Sequence, residues 1–105
     1  MKEKAIYKMI VIMPGGIKCD LLIYEDRFKI KPNFFLFNVT APNFSKTIYF
    51  SDLSNIHLKK SDSTPGYFLI SGKGPDFRLQ FNEKYNCIAE QASIFMNEKC
   101  TYNKI

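Results

Sequence analysis

The stretch LLIYEDRFKI, residues 21–30, decides how this sequence folds. It begins with large apolar residues, continues through the acidic pair Glu25-Asp26 and then alternates. In the alternating part, Phe28 and Ile30 would point to one side of a sheet and Arg27 to the other, together with the lysines that follow it. An extended apolar segment, a polar turn and an alternating segment are typical of a β-hairpin. The stretch therefore predicts two antiparallel strands with an apolar inner face and a basic outer face.

Extended patterns of the same kind recur on both sides of this hairpin, separated by turns rich in Pro, Gly, Asn and Ser. The predicted extended segments are residues 5–13, 17–24, 27–31, 34–40, 47–50, 55–60, 67–71 and 76–81. No helical pattern connects them, so the sheet should be mainly antiparallel. The sequence therefore predicts a mainly β protein of about seven short strands.

Near the end of the chain, the spacing of the apolar residues changes from the alternation of a strand to the spacing of a helix. Over residues 83–99 an apolar stripe follows helical spacing, and Asn82 is placed to cap the first turn. The predicted stripe consists of Ile88, Ala92, Phe95 and Met96. A chain of 105 residues suits one domain, so we predict a single domain over residues 1–105, with strands at about 5–81 and a closing helix at about 83–99.

Three segments in this order resemble pleckstrin-homology-like domains, particularly the GRAM-type and short bacterial members. They are the hairpin LLIYEDRFKI, the middle segment IYFSDLSNIHLKK (48–60) and the strand DFRLQF (76–81) before the closing helix. The resemblance covers nearly the whole chain as a pattern of residue classes. It implies a bent, partly closed barrel of two antiparallel sheets, with one open corner plugged by the C-terminal helix.

Cysteine use and hydropathy indicate where the protein works. The chain has three cysteines, Cys19, Cys87 and Cys100. Their odd number and wide spacing disfavour a disulfide framework or a zinc site. The apolar stretch 9–13 is too short for a secretory signal, and the chain has no apolar run long enough for a transmembrane helix. We therefore expect a cytoplasmic protein.

The residue types that carry catalysis do not form a motif in this sequence. His57 is the single histidine, and it should point outward from its strand. The stretch Gly72–Pro75 lacks the spacing of a phosphate-binding loop, and no acid pair has the spacing of metal ligands. We therefore predict a non-enzymatic protein, with no catalytic residue, cofactor or metal ion.

The net charge of +5 favours anionic partners without choosing among them. Members of the resembled family that bind phosphoinositides carry clustered basic residues around the first hairpin loop. Here Lys18 is present, but Asp20 stands where an arginine would be, which argues against specific phosphoinositide binding. A looser candidate site for anionic lipid remains, and the alternative is an ordinary solvated strand face. This candidate site consists of Lys18, Arg27, Lys29 and Lys31.

A nucleic-acid partner is not expected from the sequence, because it has no RNP-type motif and its charge is modest. Such binding is kept only as a residual alternative.

Residues 28–44, FKIKPNFFLFNVTAPNF, hold five of the ten phenylalanines. A barrel of this size has limited interior volume, and aromatic residues elsewhere, from Tyr49 to Phe95, compete for it. Phe34, Leu36 and Phe44 are therefore predicted to remain at the surface, where an apolar patch usually marks an interface. The alternative is that this segment packs over its own sheet. We expect an interaction or scaffold domain that binds a protein partner or itself, with peripheral attachment to anionic membrane as the alternative.

Overall fold

The computed structural model describes residues 4–32, 45–60, 62 and 64–102. The described residues form seven strands and one α-helix, which confirms the predicted fold class. The strands are β1 (Tyr7–Met13), β2 (Ile17–Ile23), β3 (Arg27–Pro32), β4 (Lys46–Tyr49), β5 (Leu53–Lys59), β6 (Gly66–Gly72) and β7 (Phe77–Phe81), and the helix is α1 (Asn86–Lys99). Short 3₁₀ helices, Phe50–Asp52 and Glu83–Tyr85, precede β5 and α1. The predicted strand at 34–40 lies outside the described residues.

The strands form one antiparallel sheet in the order β4-β3-β2-β1-β7-β6-β5. Two runs of sequential neighbours, β1 to β4 and β5 to β7, are joined where the first strand meets the last. That junction contains a single residue pair, Ile12 opposite Gln80. The sheet bends into a barrel that the helix caps, because the apolar faces of both runs must be covered.

The hairpin at residues 21–30 folds as its pattern predicts. Leu21 pairs with Ile30 and Ile23 pairs with Phe28, and all four side chains are buried. On the same inner face the ring of Phe28 lies 6.0 Å from that of Phe50. The remaining large core side chains come from β1, β5, β6, β7 and the helix: Met9, Val11, Leu53, Ile56, Phe68, Ile70, Leu79, Phe81 and Met96. Tyr49, expected to compete for the interior, is 47% exposed, so that expectation is wrong.

Two tight backbone features shape the sheet. Gly15 and Gly16 adopt positive φ angles of 96° and 83° in the turn between β1 and β2, where glycine carries no steric cost. At the end of β6, Gly72 lies against the 3₁₀ helix before β5, and an added Cβ would meet Asp52 O and come within 2.7 Å of the Leu53 Cα. The N–H of Lys73 donates to Asp52 O at 2.9 Å, which holds this close approach.

The helix buries Ala92 and Met96 as predicted, but its buried face is centred on small residues rather than on Ile88. Asn82 caps the preceding 3₁₀ helix as expected, accepting from the N–H of Lys84 at 3.1 Å. The buried helical residues are Ala89, Ala92, Ser93 and Met96. Ile88, which was predicted to be buried, is 37% exposed, and Phe95 is half-buried. Small residues let the helix approach the sheet closely, and this close approach selects Ala89 and Ser93 over the larger Ile88.

The helix and the residues after it also cover the edge of β5. The side-chain amide of Asn97 pairs with the backbone N–H and C=O of Ile56. The N–H of Tyr102 donates to Leu53 O at 3.0 Å. An edge strand with such partners is protected from pairing with another chain. No helix among the described residues has the length and hydropathy needed to cross a membrane.

Candidate functional site

The four basic residues predicted to bind anionic lipid lie on one outer face of the sheet. Arg27, Lys29 and Lys31 occupy alternate positions of β3, opposite in direction to the buried Phe28 and Ile30. Lys18 lies on the neighbouring strand β2, at an exposed position before the buried Cys19. The structure therefore brings all four to the same side of β2 and β3.

A fifth lysine joins this face. Lys8 on β1 is opposite Leu22 on β2, and Leu22 is in turn opposite Lys29 on β3. Lys8 is not among the basic residues predicted from the sequence, although its position between Tyr7 and the buried Met9 follows the same alternation and could have identified it. We call the set Lys8, Lys18, Arg27, Lys29 and Lys31 the basic face.

Several of these cations already have partners within the protein. The Arg27 guanidinium pairs with Asp26 and lies 4.7 Å from the centroid of the Tyr24 ring, and the Lys29 ammonium lies 5.5 Å from the same ring. Their side chains cover Tyr24, which is only 8% exposed although it is on the outer face. Asp20 lies directly opposite Lys31 in the strand register. These contacts reduce the positive charge that the basic face offers to a ligand.

The residues predicted to form an apolar interface, Phe34, Leu36 and Phe44, lie outside the described residues. Among the described residues, Ile12 and Ile17 are each 39% exposed. They lie at the end of the β1–β2 hairpin, on either side of the Pro14–Gly16 turn. The hairpin thus carries exposed apolar surface that the sequence analysis did not identify.

Ile12 also lies at the centre of a groove along the junction of β1 and β7. Cavities of about 420, 330 and 210 Å³ follow this junction, and Ile12 lines all three. The groove forms because the two strands pair only at Ile12 and Gln80 and diverge on either side. Its apolar lining comes from both halves of the sheet: Ile10, Ile12, Met13, Leu69, Phe77 and Phe81. We call this depression the seam groove.

The charged residues around the seam groove are of both signs. Lys18, Arg78 and Lys84 line it together with Asp62, Asp76 and Glu83. The charges therefore balance at neutral pH, and the attraction that the groove offers is mainly apolar.

Two of the three thiols are withdrawn from solvent. Burial, with a smaller contribution from Asp20, raises the pKa of the Cys19 thiol above its ordinary value of 9.0. Burial likewise raises the pKa of Cys100. Both thiols are therefore protonated at neutral pH, and a protonated thiol is a weak nucleophile. Cys87 is exposed on α1, and His57 is exposed on β5 opposite Leu69, as its alternation predicts.

No cluster of three His, Cys, Asp or Glu side chains suited to a metal ion occurs within residues 4–32, 45–60, 62 and 64–102. A scan against protein-family models gives no match for this chain, and a search of curated protein sequences finds no significant relative.

Proposed function

We propose that this chain is a non-enzymatic interaction domain of the pleckstrin-homology-like class, located in the cytoplasm, and that its partner is a second copy of itself. The class is supported by the order of the seven strands and by the closing helix, which the resemblance implies. The interaction is supported by one observation above the others: an exposed isoleucine, Ile12, forms the centre of an apolar groove.

An apolar side chain at the bottom of a concave surface is a typical anchor point for a partner. Burying Ile12 against a partner would stabilise the complex by about 25 cal/mol for each Å² of apolar surface removed from water. The partner would also contact Met13 and Phe77, which line the same groove.

A second copy is the favoured partner because the same hairpin carries both a depression and an exposed apolar side chain. Ile12 is that side chain, and it lines the groove itself. In a two-fold dimer the grooves of the two copies face each other, so Ile12 of each copy contacts the apolar lining of the other, since such interfaces use one patch twice. The covered edge of β5 disfavours a dimer formed by pairing at that strand.

The test is the mass of the protein from light scattering on a size-exclusion column, at two protein and two salt concentrations. We expect a mass above 12.2 kDa that persists in high salt. Ile12→Asp should lower the mass to that of one chain, because a carboxylate cannot be buried unpaired in an apolar groove. Ile94→Asp is the matched control, since Ile94 is 59% exposed on α1 and does not line the groove.

Three outcomes would contradict parts of this proposal. A single-chain mass under all conditions would exclude self-association. An equal loss of mass in Ile12→Asp and Ile94→Asp would remove the seam groove as the interface. A loss in Phe34→Asp or Leu36→Asp, but not in Ile12→Asp, would move the interface to the segment at 28–44 that the sequence analysis identified.

Peripheral binding to anionic membrane is the second candidate, and the position of Lys8 favours it. This residue extends the basic face across three neighbouring strands, and each well-placed basic residue contributes about 1 kcal/mol near an anionic surface. Phe34 or Phe44 would insert into the lipid. Cosedimentation with liposomes that contain phosphatidylserine should be salt-sensitive and lost in Lys29→Glu/Lys31→Glu. Unchanged cosedimentation of that variant would exclude the basic face.

A further inference from the structure

The outer face of β5, β6 and β7 is a second basic surface, separate from the basic face of β1 to β3. The cross-strand register places His57, Leu69 and Arg78 in one row and Lys59, Tyr67 and Gln80 in the next. A third row at the other end of β5 and β6 pairs Asn55 with Ser71. We call these eight residues the β5–β7 face.

The β5–β7 face contains no carboxylate. Lys59 and Arg78 are both exposed, His57 is exposed beside them, and the other members are neutral. Leu69, Arg78 and Gln80 also line the seam groove, and Asp76, just before β7, lines the same cavity. Because Lys59 and Arg78 have no carboxylate opposite them in the register, the face is complementary to a polyanion.

The Tyr67 ring lies next to both cations of the face. The guanidinium carbon of Arg78 lies 4.6 Å from the centroid of the Tyr67 ring, and the Lys59 ammonium lies 5.9 Å from it. Stacking on a ring limits the motion of a long side chain before any ligand arrives. A guanidinium held in this way can bind a phosphate with its edge and stack a base on its open plane.

The neutral residues of the face favour a nucleic acid over an anionic membrane as the ligand. Asn55, Ser71 and Gln80 supply hydrogen-bonding groups of the kind that contact bases and sugars. The exposed large apolar side chain at the border of the face is Ile12, opposite Gln80, whereas Leu69 within it is half-buried. The face thus offers stacking and hydrogen bonds, and its apolar surface is confined to the seam groove at its border, where no side chain projects far enough to insert into a bilayer.

We infer that the β5–β7 face binds single-stranded nucleic acid, weakly and without sequence preference. Arg78 and Lys59 each contact one phosphate, and a base stacks on the Arg78 guanidinium over Tyr67. Two phosphate contacts predict that log K falls with log salt concentration with a slope of about −1.4, since each contact on a single strand contributes about 0.7. The absence of an RNP-type motif is consistent with binding that does not read sequence.

The experiment uses the full chain and a fluorescein-labelled oligothymidylate of about 12 nucleotides, a length within the usual range of single-strand binding sites. Fluorescence anisotropy gives the affinity at several salt concentrations. The variant Lys59→Glu/Arg78→Glu should lose at least about tenfold in affinity and most of the salt slope. The control Lys46→Glu/Lys73→Glu makes the same change in net charge at exposed positions outside both the β5–β7 face and the seam groove, and it should retain most of the affinity.

A third variant separates stacking from charge. Tyr67→Leu keeps both cations but removes the ring that holds them, so the affinity should fall several-fold while the salt slope stays near its original value. Circular dichroism establishes that each variant retains the β-sheet spectrum.

The inference is overturned if the oligonucleotide shows no saturable binding at low salt. It is equally overturned if both double variants lose the same affinity, because net charge alone would then account for binding. Binding of anionic liposomes that depends on Lys59 and Arg78, without binding of the oligonucleotide, would assign the face to a membrane instead.

Discussion

The side-chain amide of Asn97 takes the place of a neighbouring strand beside Ile56. Its Oδ1 accepts from the Ile56 N–H at 2.9 Å, and its Nδ2 donates to the Ile56 C=O at 2.8 Å and to the C=O of Ser93 at 2.9 Å. These are the two backbone groups that an eighth strand would use. The contact fixes the rotation of α1 and closes part of the edge of β5 at the same time.

Removing this amide should destabilise the whole fold. Asn97→Ala leaves the N–H and C=O of Ile56 without their partners, which should lower the free energy of unfolding by about 1–3 kcal/mol. Asn97→Asp should cost at least as much, because its carboxylate would face the Ile56 carbonyl oxygen. Urea unfolding followed by circular dichroism measures both.

Gln91→Ala is the control for Asn97, since it removes an amide from an exposed position of the same helix. Its effect should stay within about 0.5 kcal/mol. Equal effects of Gln91→Ala and Asn97→Ala would show that the pairing with Ile56 contributes nothing to stability.

Two glycines near the β6–β7 turn should respond differently to the same substitution. Gly72→Ala brings a Cβ against Asp52 O and the Leu53 Cα, which are backbone atoms that cannot move independently, and should cost more than about 2 kcal/mol. At Gly74 a Cβ would meet nothing within 4 Å, so Gly74→Ala should be neutral or stabilise by up to about 1 kcal/mol. Thermal and urea unfolding of both variants provide the comparison. If Gly72→Ala leaves the stability unchanged, Gly72 does not lie as close to Asp52 and Leu53 as described.

Two apolar residues of α1 should differ in how much they contribute to stability. Met96 is fully buried, so Met96→Ala should cost about 2–5 kcal/mol through lost contacts and a residual cavity. Ile88→Ala should cost less than Met96→Ala, by about 1 kcal/mol or more, because Ile88 is already 37% exposed. If Ile88→Ala costs as much as Met96→Ala in urea unfolding, Ile88 is buried as its sequence spacing predicts.

The three thiols should differ in reactivity. In the folded protein at pH 8, a thiol reagent should modify the exposed Cys87 quickly, and Cys19 and Cys100 slowly. The raised pKa of Cys19 means that the folded state favours the protonated thiol. This stabilisation is present at lower pH and is lost as the pH rises through the folded pKa above 9.0. Cys87→Ser should abolish the fast phase, and a fast phase that survives would place a second thiol in solvent.

Local patterns in the sequence account for most of the fold. The alternation of Phe28 and Ile30 with Arg27 and Lys29 predicts both the strand and its inner face, because side-chain direction in a strand depends on position alone. The same alternation places Lys18 and Lys31 on the outer face and His57 in solvent. These features need no knowledge of distant parts of the chain.

Contacts between distant residues could not be predicted in this way. The burial of Ala89 and Ser93 instead of Ile88 follows from the pairing of Asn97 with Ile56, which no local pattern reveals. The seam groove depends on Ile12 meeting Gln80, a register between the first and last strands. The burial of Tyr24 arises because cations from the next strand fold over its ring.

That single pair between Ile12 and Gln80 also bears on how the chain folds. Each run of strands, β1 to β4 and β5 to β7, can form through neighbours in sequence, whereas the junction must close a loop of most of the chain. Loop closure of that length is slow, and proteins rich in such contacts fold slowly. We expect the two runs to form first and to join late, so that Ile12→Ala, which removes the apolar side chain at this junction, mainly accelerates unfolding in stopped-flow measurements. During synthesis, β1 would therefore pair with β2 alone, and its other edge would stay unpaired until β7 has left the ribosome.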